Sequence, residues 1–151
     1  MPYFSENKAD ATLFFRHSKT QKHFFMKVNE MLSEDPIIES HANYFMALNK
    51  ELRVRMLCII HHAQKLTNGD MVMVLGLNSS TTSNTLRIMV DLGLLSNQDI
   101  YARMTWYFIS PNARPLADFI VGQISSSKVI KQDIARYDEL FAKKELKSQG
   151  I

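Results

Sequence analysis

Apolar residues recur at helical spacing along most of this chain, with one short interval where the period changes. Residues 5–33 contain neither Gly nor Pro. Phe14, Ser18, Gln21, Phe25, Val28 and Leu32 follow one helical face with a polar middle, which fits one long helix or two shorter ones. Ser33-Glu34-Asp35-Pro36 then reads as a helix start. Asp35 can cap, and Pro36 suits the first helical position because its missing N–H has no intrahelical use. Ile37, Ile38, His41, Tyr44, Phe45 and Leu48 predict one face of that helix. Leu52, Met56, Ile59, Ile60 and Ala63 predict the next, which Asn68-Gly69 is expected to break.

The following segment carries most of the information. Asp70 to Leu75 has the length of a short helix, and Gly76-Leu77-Asn78 reads as a turn in which Gly76 can take the left-handed conformation. Asn78 or Ser79 can cap a second helix running through Thr81 to Leu92 and ending at Gly93. Its apolar positions, Leu86, Met89, Val90 and Leu92, all fall in the second half; its first half is small and polar. The period then changes. Leu94-Leu95-Ser96 is a strand candidate, Asn97-Gln98-Asp99 has turn chemistry, and Tyr101 to Ile109 is rich in aromatic and β-branched residues. Ser110-Pro111-Asn112 ends this hairpin. Residues 113–124 resume helical spacing through Leu116, Phe119, Ile120 and Ile124, and Ser125-Ser126-Ser127 breaks or bends the helix. Val129, Ile130, Ile134, Tyr137, Leu140 and Phe141 predict a last amphipathic helix, with Lys143 to Ile151 fraying.

The order helix, glycine turn, polar-then-apolar helix, hairpin is that of a winged helix-turn-helix. A recognition helix must offer small hydrogen-bonding side chains to base edges at its start and bury its other face. Ser79, Ser80, Thr81, Thr82, Ser83, Asn84 and Arg87 meet the first demand. Asn can pair with adenine, Arg with guanine, and hydroxyls with bases or phosphates. Asn97, Gln98 and Arg103 are the candidate wing contacts. The expected fold is mainly α with a small β-hairpin. It divides into an N-terminal helical extension (1–35), a winged helix-turn-helix DNA-binding domain (36–111) and C-terminal dimerisation helices (112–151).

Residues 52–109 resemble the winged helix-turn-helix regulators of the ArsR type. Glu51-Leu52-Arg53-Val54-Arg55-Met56-Leu57 is similar to the family's Arg-Leu-Arg-Ile-Leu-like helix. Leu75 to Leu86 matches, without gaps, the family's segment Leu-Gly-Leu-Ser-Gln-Ser-Thr-Val-Ser-Arg-His-Leu. Leu92-Gly93-Leu94-Leu95 and Met104 to Ser110 are similar to the residues before the wing and to its second strand. The family's Arg-His pair is Asn84-Thr85 here. Its metal-sensing Cys-x-Cys pair aligns with Thr67 and Gly69, and residues 113–147 hold no His for the alternative C-terminal site. No metal site of the family's kind is therefore expected. The resemblance implies a dimer that releases DNA when an effector binds; the effector is not legible.

Composition narrows this further. The chain has 151 residues, 46% hydrophobic and 22% charged, with 5 Gly, 4 Pro and one Cys. These values exclude a disordered or collagen-like chain and a disulfide framework. The formal charge of +3 permits nucleic acid without demanding it. Most of the excess lies outside the reading head, since residues 1–50, 51–111 and 112–151 carry 0, +1 and +2. Arg53 and Arg55 are read as structural or peripheral phosphate contacts, and Arg87 as a DNA contact or a surface partner of Asp91. Cys58, in an apolar run, is read as a buried small hydrophobe. His61 and His62, adjacent on a helix, point too far apart to chelate together. His17 and His23 belong to a solvated face. No phosphate-binding glycine loop, nucleophile elbow or zinc-protease motif occurs, so no enzyme and no cofactor are expected. The N-terminus lacks a secretory pattern and the apolar runs are too short to span a membrane, so a soluble cytoplasmic protein is expected.

The reading is thus a homodimeric, sequence-specific DNA-binding transcriptional regulator, a repressor on a palindromic operator. A MarR-like winged-helix regulator and a winged-helix protein-interaction module are the alternatives. The first lacks its Asp-x-Arg wing pattern here; the near-neutral reading head keeps the second open.

Overall fold

A computed structural model describes residues 35–101, 104–148 and 150. The expected helices over 5–33, and most of the proposed 1–35 extension, lie outside these residues. The chain divides into compact units at 1–39 and 40–151.

The first described helix, α1 (Pro36–Ala47), starts where the sequence places it, with the Ile37 amide donating to Asp35 Oδ1 at 2.9 Å. Its apolar face differs from the expected one. Tyr44 and Ala47 are buried, whereas Phe45 and Met46 are 60% and 56% exposed. Tyr44 and Phe45 lie about 100° apart around a helix, so only one of them can face the core. Ile37 and Ile38 are also exposed.

Helix α2 (Glu51–Ala63) is the centre of the second unit. Met56, Leu57, Cys58, Ile59 and Ile60 are all buried, so this stretch is covered on every side. Fully burying one such side chain is worth about 1.5–3 kcal/mol before entropy is charged against it. The helix ends at Gln64, whose φ of 69° turns the chain. The break therefore precedes Asn68-Gly69. Between them Leu66–Thr67 forms strand β1, which the sequence did not reveal because two residues carry no period. Asn68 and Gly69 instead open helix α3 (Asn68–Leu75). Thr67 makes that start possible: its hydroxyl accepts from the Asp70 amide, and Asp70 Oδ2 accepts from the Thr67 amide.

Helix α4 (Ser79–Asp91) follows, then β2 (Leu95–Tyr101) and β3 (Met104–Ile109). The strands form an antiparallel sheet of order β1-β3-β2. The expected turn at Asn97-Gln98-Asp99 is absent. Asn97 pairs with Tyr107, Gln98 with Trp106 and Asp99 with Thr105, inside the strand. Polar residues are tolerated there because only the root of β2, Leu95, is buried. A hydrogen bond of 2.6 Å from Thr105 to Asp99 ties the exposed part together.

A 3-10 turn (Pro111–Ala113) leads into α5 (Arg114–Ile124), and the three serines then break the chain before α6 (Lys128–Ser148). On α5, Ala117 is buried, whereas Phe119, expected in the core, is 64% exposed. Helix α6 continues to Ser148, so the expected fraying from Lys143 does not appear over 143–148. Both helices pack on α2, and α6 also packs on α3, joining the same core as the helix-turn-helix. A forked ion pair secures this: Arg55 Nε and Nη2 donate to the two oxygens of buried Asp133 at 2.8 and 2.9 Å. This confirms a structural role for Arg55. No helix among the described residues is long and apolar enough to cross a membrane.

Two substitutions test this frame by urea unfolding. Leu86→Ala, which empties a fully buried position, is expected to cost about 2–5 kcal/mol. Asp133→Ala, which leaves Arg55 without its partner, is expected to cost about 3 kcal/mol, the low end for a buried pair because Arg55 keeps some water contact.

Candidate nucleic-acid interface

The helix-turn-helix is shaped by small polar residues before any partner is considered. Gly76 ends α3 at φ 67°, with its amide donating to the Val72 carbonyl. A side chain is disfavoured in that left-handed region. Two residues on, Asn78 caps α4: its Oδ1 accepts from the Thr81 amide at 2.7 Å and from the Ser80 hydroxyl at 3.0 Å. Such a cap contributes about 1 kcal/mol. Asn68 Nδ2 donates to Ser79 Oγ at 3.0 Å, pinning the start of α4 to the start of α3, while its own Oδ1 is buried without a partner among the described residues. At the other end the Gly93 amide bonds to Val90 and the Leu94 amide to Met89, the paired bonds of a glycine-terminated helix.

This fixes the rotation of α4. Thr82, Leu86 and Met89 are fully buried. Ser80, Ser83, Asn84 and Arg87 are exposed at spacings of three and four, on the opposite side. Ser79 and Thr81 are exposed beside them. Thr82, a candidate base contact from sequence, is thereby removed: at 0% exposure its hydroxyl donates to the Asn78 carbonyl at 3.0 Å. The sequence lists it among hydroxyl residues of identical type, and only helix rotation separates it from them. Arg87 donates to Asn84 Oδ1 at 2.6 Å rather than pairing with Asp91. The two side chains thus form one unit that presents the Asn84 amide donors and the remaining guanidinium N–H groups outward.

Helix α4 packs against β2, which sets the hairpin beside it. Asn97 and Gln98 are exposed but sit within β2, away from the strand ends. The connection between the strands falls on 102–103, so Arg103 lies outside the described residues. Tyr101, 80% exposed at the outer end of β2, was not singled out from sequence. It reads there as one strand-forming aromatic among several. At the root of the sheet, Lys65 Nζ stands 5.1 Å from the centroid of Trp106.

The histidines act separately. His61 Nε2 meets Asp118 Oδ1 of α5 and His62 Nε2 meets Asp138 Oδ1 of α6, each at 2.7 Å. Arg114 also donates to Asp118. The His61 hydrogen bond, with help from Arg114, lowers the Asp118 carboxyl below its ordinary 3.8. Burial raises the Cys58 thiol to about 11, with the Asp133 charge adding to it. Among the described residues no group of three or more His, Cys, Asp or Glu converges as a metal site.

No family model and no curated protein matches the sequence. Solved structures do match the fold. HlyU from Vibrio cholerae N16961 superposes with a TM-score of 0.54 at 18% identity, over 61% of this chain and 99% of that one. The AntR antimony-specific transcriptional repressor superposes at 0.51 and 18% identity, over 66% and 93%. The chain therefore has a winged helix-turn-helix fold, as its sequence pattern predicts.

Two measurements check the local chemistry. A thiol at about 11 is roughly one part in a thousand thiolate at pH 8, so Cys58 is expected to resist a thiol reagent until the protein is unfolded. Asp118, lowered on folding, stabilises the native state above its ordinary value, and this contribution is lost as pH falls below 3.8 through the depressed value. Asp118→Asn should accordingly flatten the acid limb of a stability-against-pH curve.

Proposed function

We propose that this chain is a sequence-specific DNA-binding transcriptional regulator of the ArsR type that represses as a homodimer on a palindromic operator. The observation that carries this reading is the outward stripe Ser80, Ser83, Asn84 and Arg87 on a helix whose other side is wholly packed. In the major groove the Arg87–Asn84 hydrogen bond gives way to base contacts, Asn84 reading adenine with its freed Oδ1 and its amide, and Arg87 reading guanine, with the serine hydroxyls on phosphates or base edges. Ser79 and Thr81 flank the phosphates at the helix start, where free amides favour an anion. The hairpin follows the backbone nearby, with Arg103 as its cation and Asn97 and Gln98 as secondary contacts.

A dimer is required because one head offers few contacts and little charge, while two heads on a palindrome sum their free energies. The exposed Phe45 and Met46 of α1 and Phe119 of α5 supply apolar surface for pairing. No metal belongs to this reading. AntR, a repressor by its name, is in line with the assigned sense of regulation. The near-neutral head keeps a second reading, a winged-helix protein-interaction module.

The test is binding to the DNA upstream of the gene itself, against a scrambled fragment, at about 50 and 200 mM salt. Binding is expected to prefer the upstream fragment and to weaken with salt by an order of magnitude or more. Asn84→Ala and Arg87→Ala should each lower specific affinity about tenfold, in line with ~1–3 kcal/mol per base contact. Specific binding that survives the double substitution places the site elsewhere. Binding that ignores salt and sequence favours the protein-interaction module.

A further inference from the structure

Helices α2, α5 and α6 line a half-open cavity of about 390 Å³ that the proposed DNA-reading surface does not use. Its size falls in the range of small-molecule sites, about 300–1,000 Å³. Its apolar wall is aliphatic: Cys58 from α2, Val121 from α5, and Ile130 and Ile134 from α6. No Phe, Tyr or Trp lines it, and its two imidazoles, His61 and His62, are held by carboxylates, so its apolar wall suits a flexible chain. The polar groups are unequally committed. His62 and Asp138 hold one another at 2.7 Å, and His61 is held by Asp118. The Lys131 side chain, by contrast, makes no ion pair or hydrogen bond among the described residues, and Ser125 Oγ makes only a 3.4 Å contact with the Gly122 carbonyl. The uncommitted charge at the cavity is therefore positive. It also lies in the first turn of α6, whose dipole favours an anion.

We propose that this cavity binds a medium-chain aliphatic carboxylate, its chain against Cys58, Val121, Ile130 and Ile134 and its carboxylate on Lys131 and Ser125. The consequence for regulation rests on the DNA-binding reading above; the binding does not. Helix α6 carries the cavity wall on one side. On another it packs against α3, and the Arg136 Nη2 stands 4.0 Å from where a side chain on Gly76 would begin. A ligand that moves α6 thus acts on the turn that leads from α3 into the proposed reading helix α4. It shifts DNA affinity by as much as it prefers one α6 position over the other.

The experiment titrates the full-length protein, without DNA, with octanoate, butanoate and neutral octanamide by calorimetry. Octanoate is expected to bind at one per chain, and affinity to rise about fourfold per methylene from butanoate. Lys131→Gln should weaken octanoate about tenfold and leave octanamide within twofold. Ala135→Trp, at an exposed position on the cavity rim, should abolish both while leaving the circular dichroism melt unchanged. No saturable octanoate binding, or binding that persists in Ala135→Trp, overturns the site. Equal effects of Lys131→Gln on acid and amide overturn the carboxylate assignment. The DNA assay is read separately: a chain that binds octanoate but no DNA keeps the cavity and loses the regulator.

Discussion

Everything else in the second unit is arranged by the need to cover α2. Five consecutive residues, Met56 to Ile60, are apolar and buried, and consecutive positions on a helix point all the way round it. One neighbour cannot cover such a helix. Helix α4, strand β3, α5 and α6 each take a side. Helices α5 and α6 are therefore not an appendage of the helix-turn-helix; they close its core. The burial of Cys58 follows from the same constraint, and so does the upward shift of its thiol.

Polar contacts then decide orientation where apolar packing leaves it open. The Arg55–Asp133 fork sets α6 against α2, and the two histidine–aspartate pairs draw α5 and α6 to the C-terminal end of α2. Around α4 the scale is smaller. The Asn78 cap, the Asn68–Ser79 bond and the glycine ending at Gly93 hold both ends, and the buried Thr82, Leu86 and Met89 set the rotation. The outcome is a short stripe of neutral donors and one arginine, presented by a packed helix. Such a surface gains more from geometry than from charge, which is consistent with a net charge that leans toward the C-terminal residues instead.

The sequence by itself determined the order of the described helices and the place of helix α4. Local signals suffice for that: Asp35-Pro36, Gly76, Asn78, Gly93 and the three serines each act through bonds within a few residues. It also determined that the first half of α4 is polar and the second half apolar, hence which end can face a partner. What the tertiary structure decided depends on residues distant in the chain. Asn97 and Gln98 look like a turn, yet become strand because Tyr107 and Trp106 pair with them. Thr82 looks like its neighbours, yet is buried because Asn78 and the core fix the rotation of α4. Phe45 and Phe119 look like core, yet Tyr44 and Ala117 take the inward positions. The cavity over Cys58, and the partners that separate the two histidines, exist only where α5 and α6 return to α2. Periodicity reports which residues share a face; it carries no information about which other face meets it.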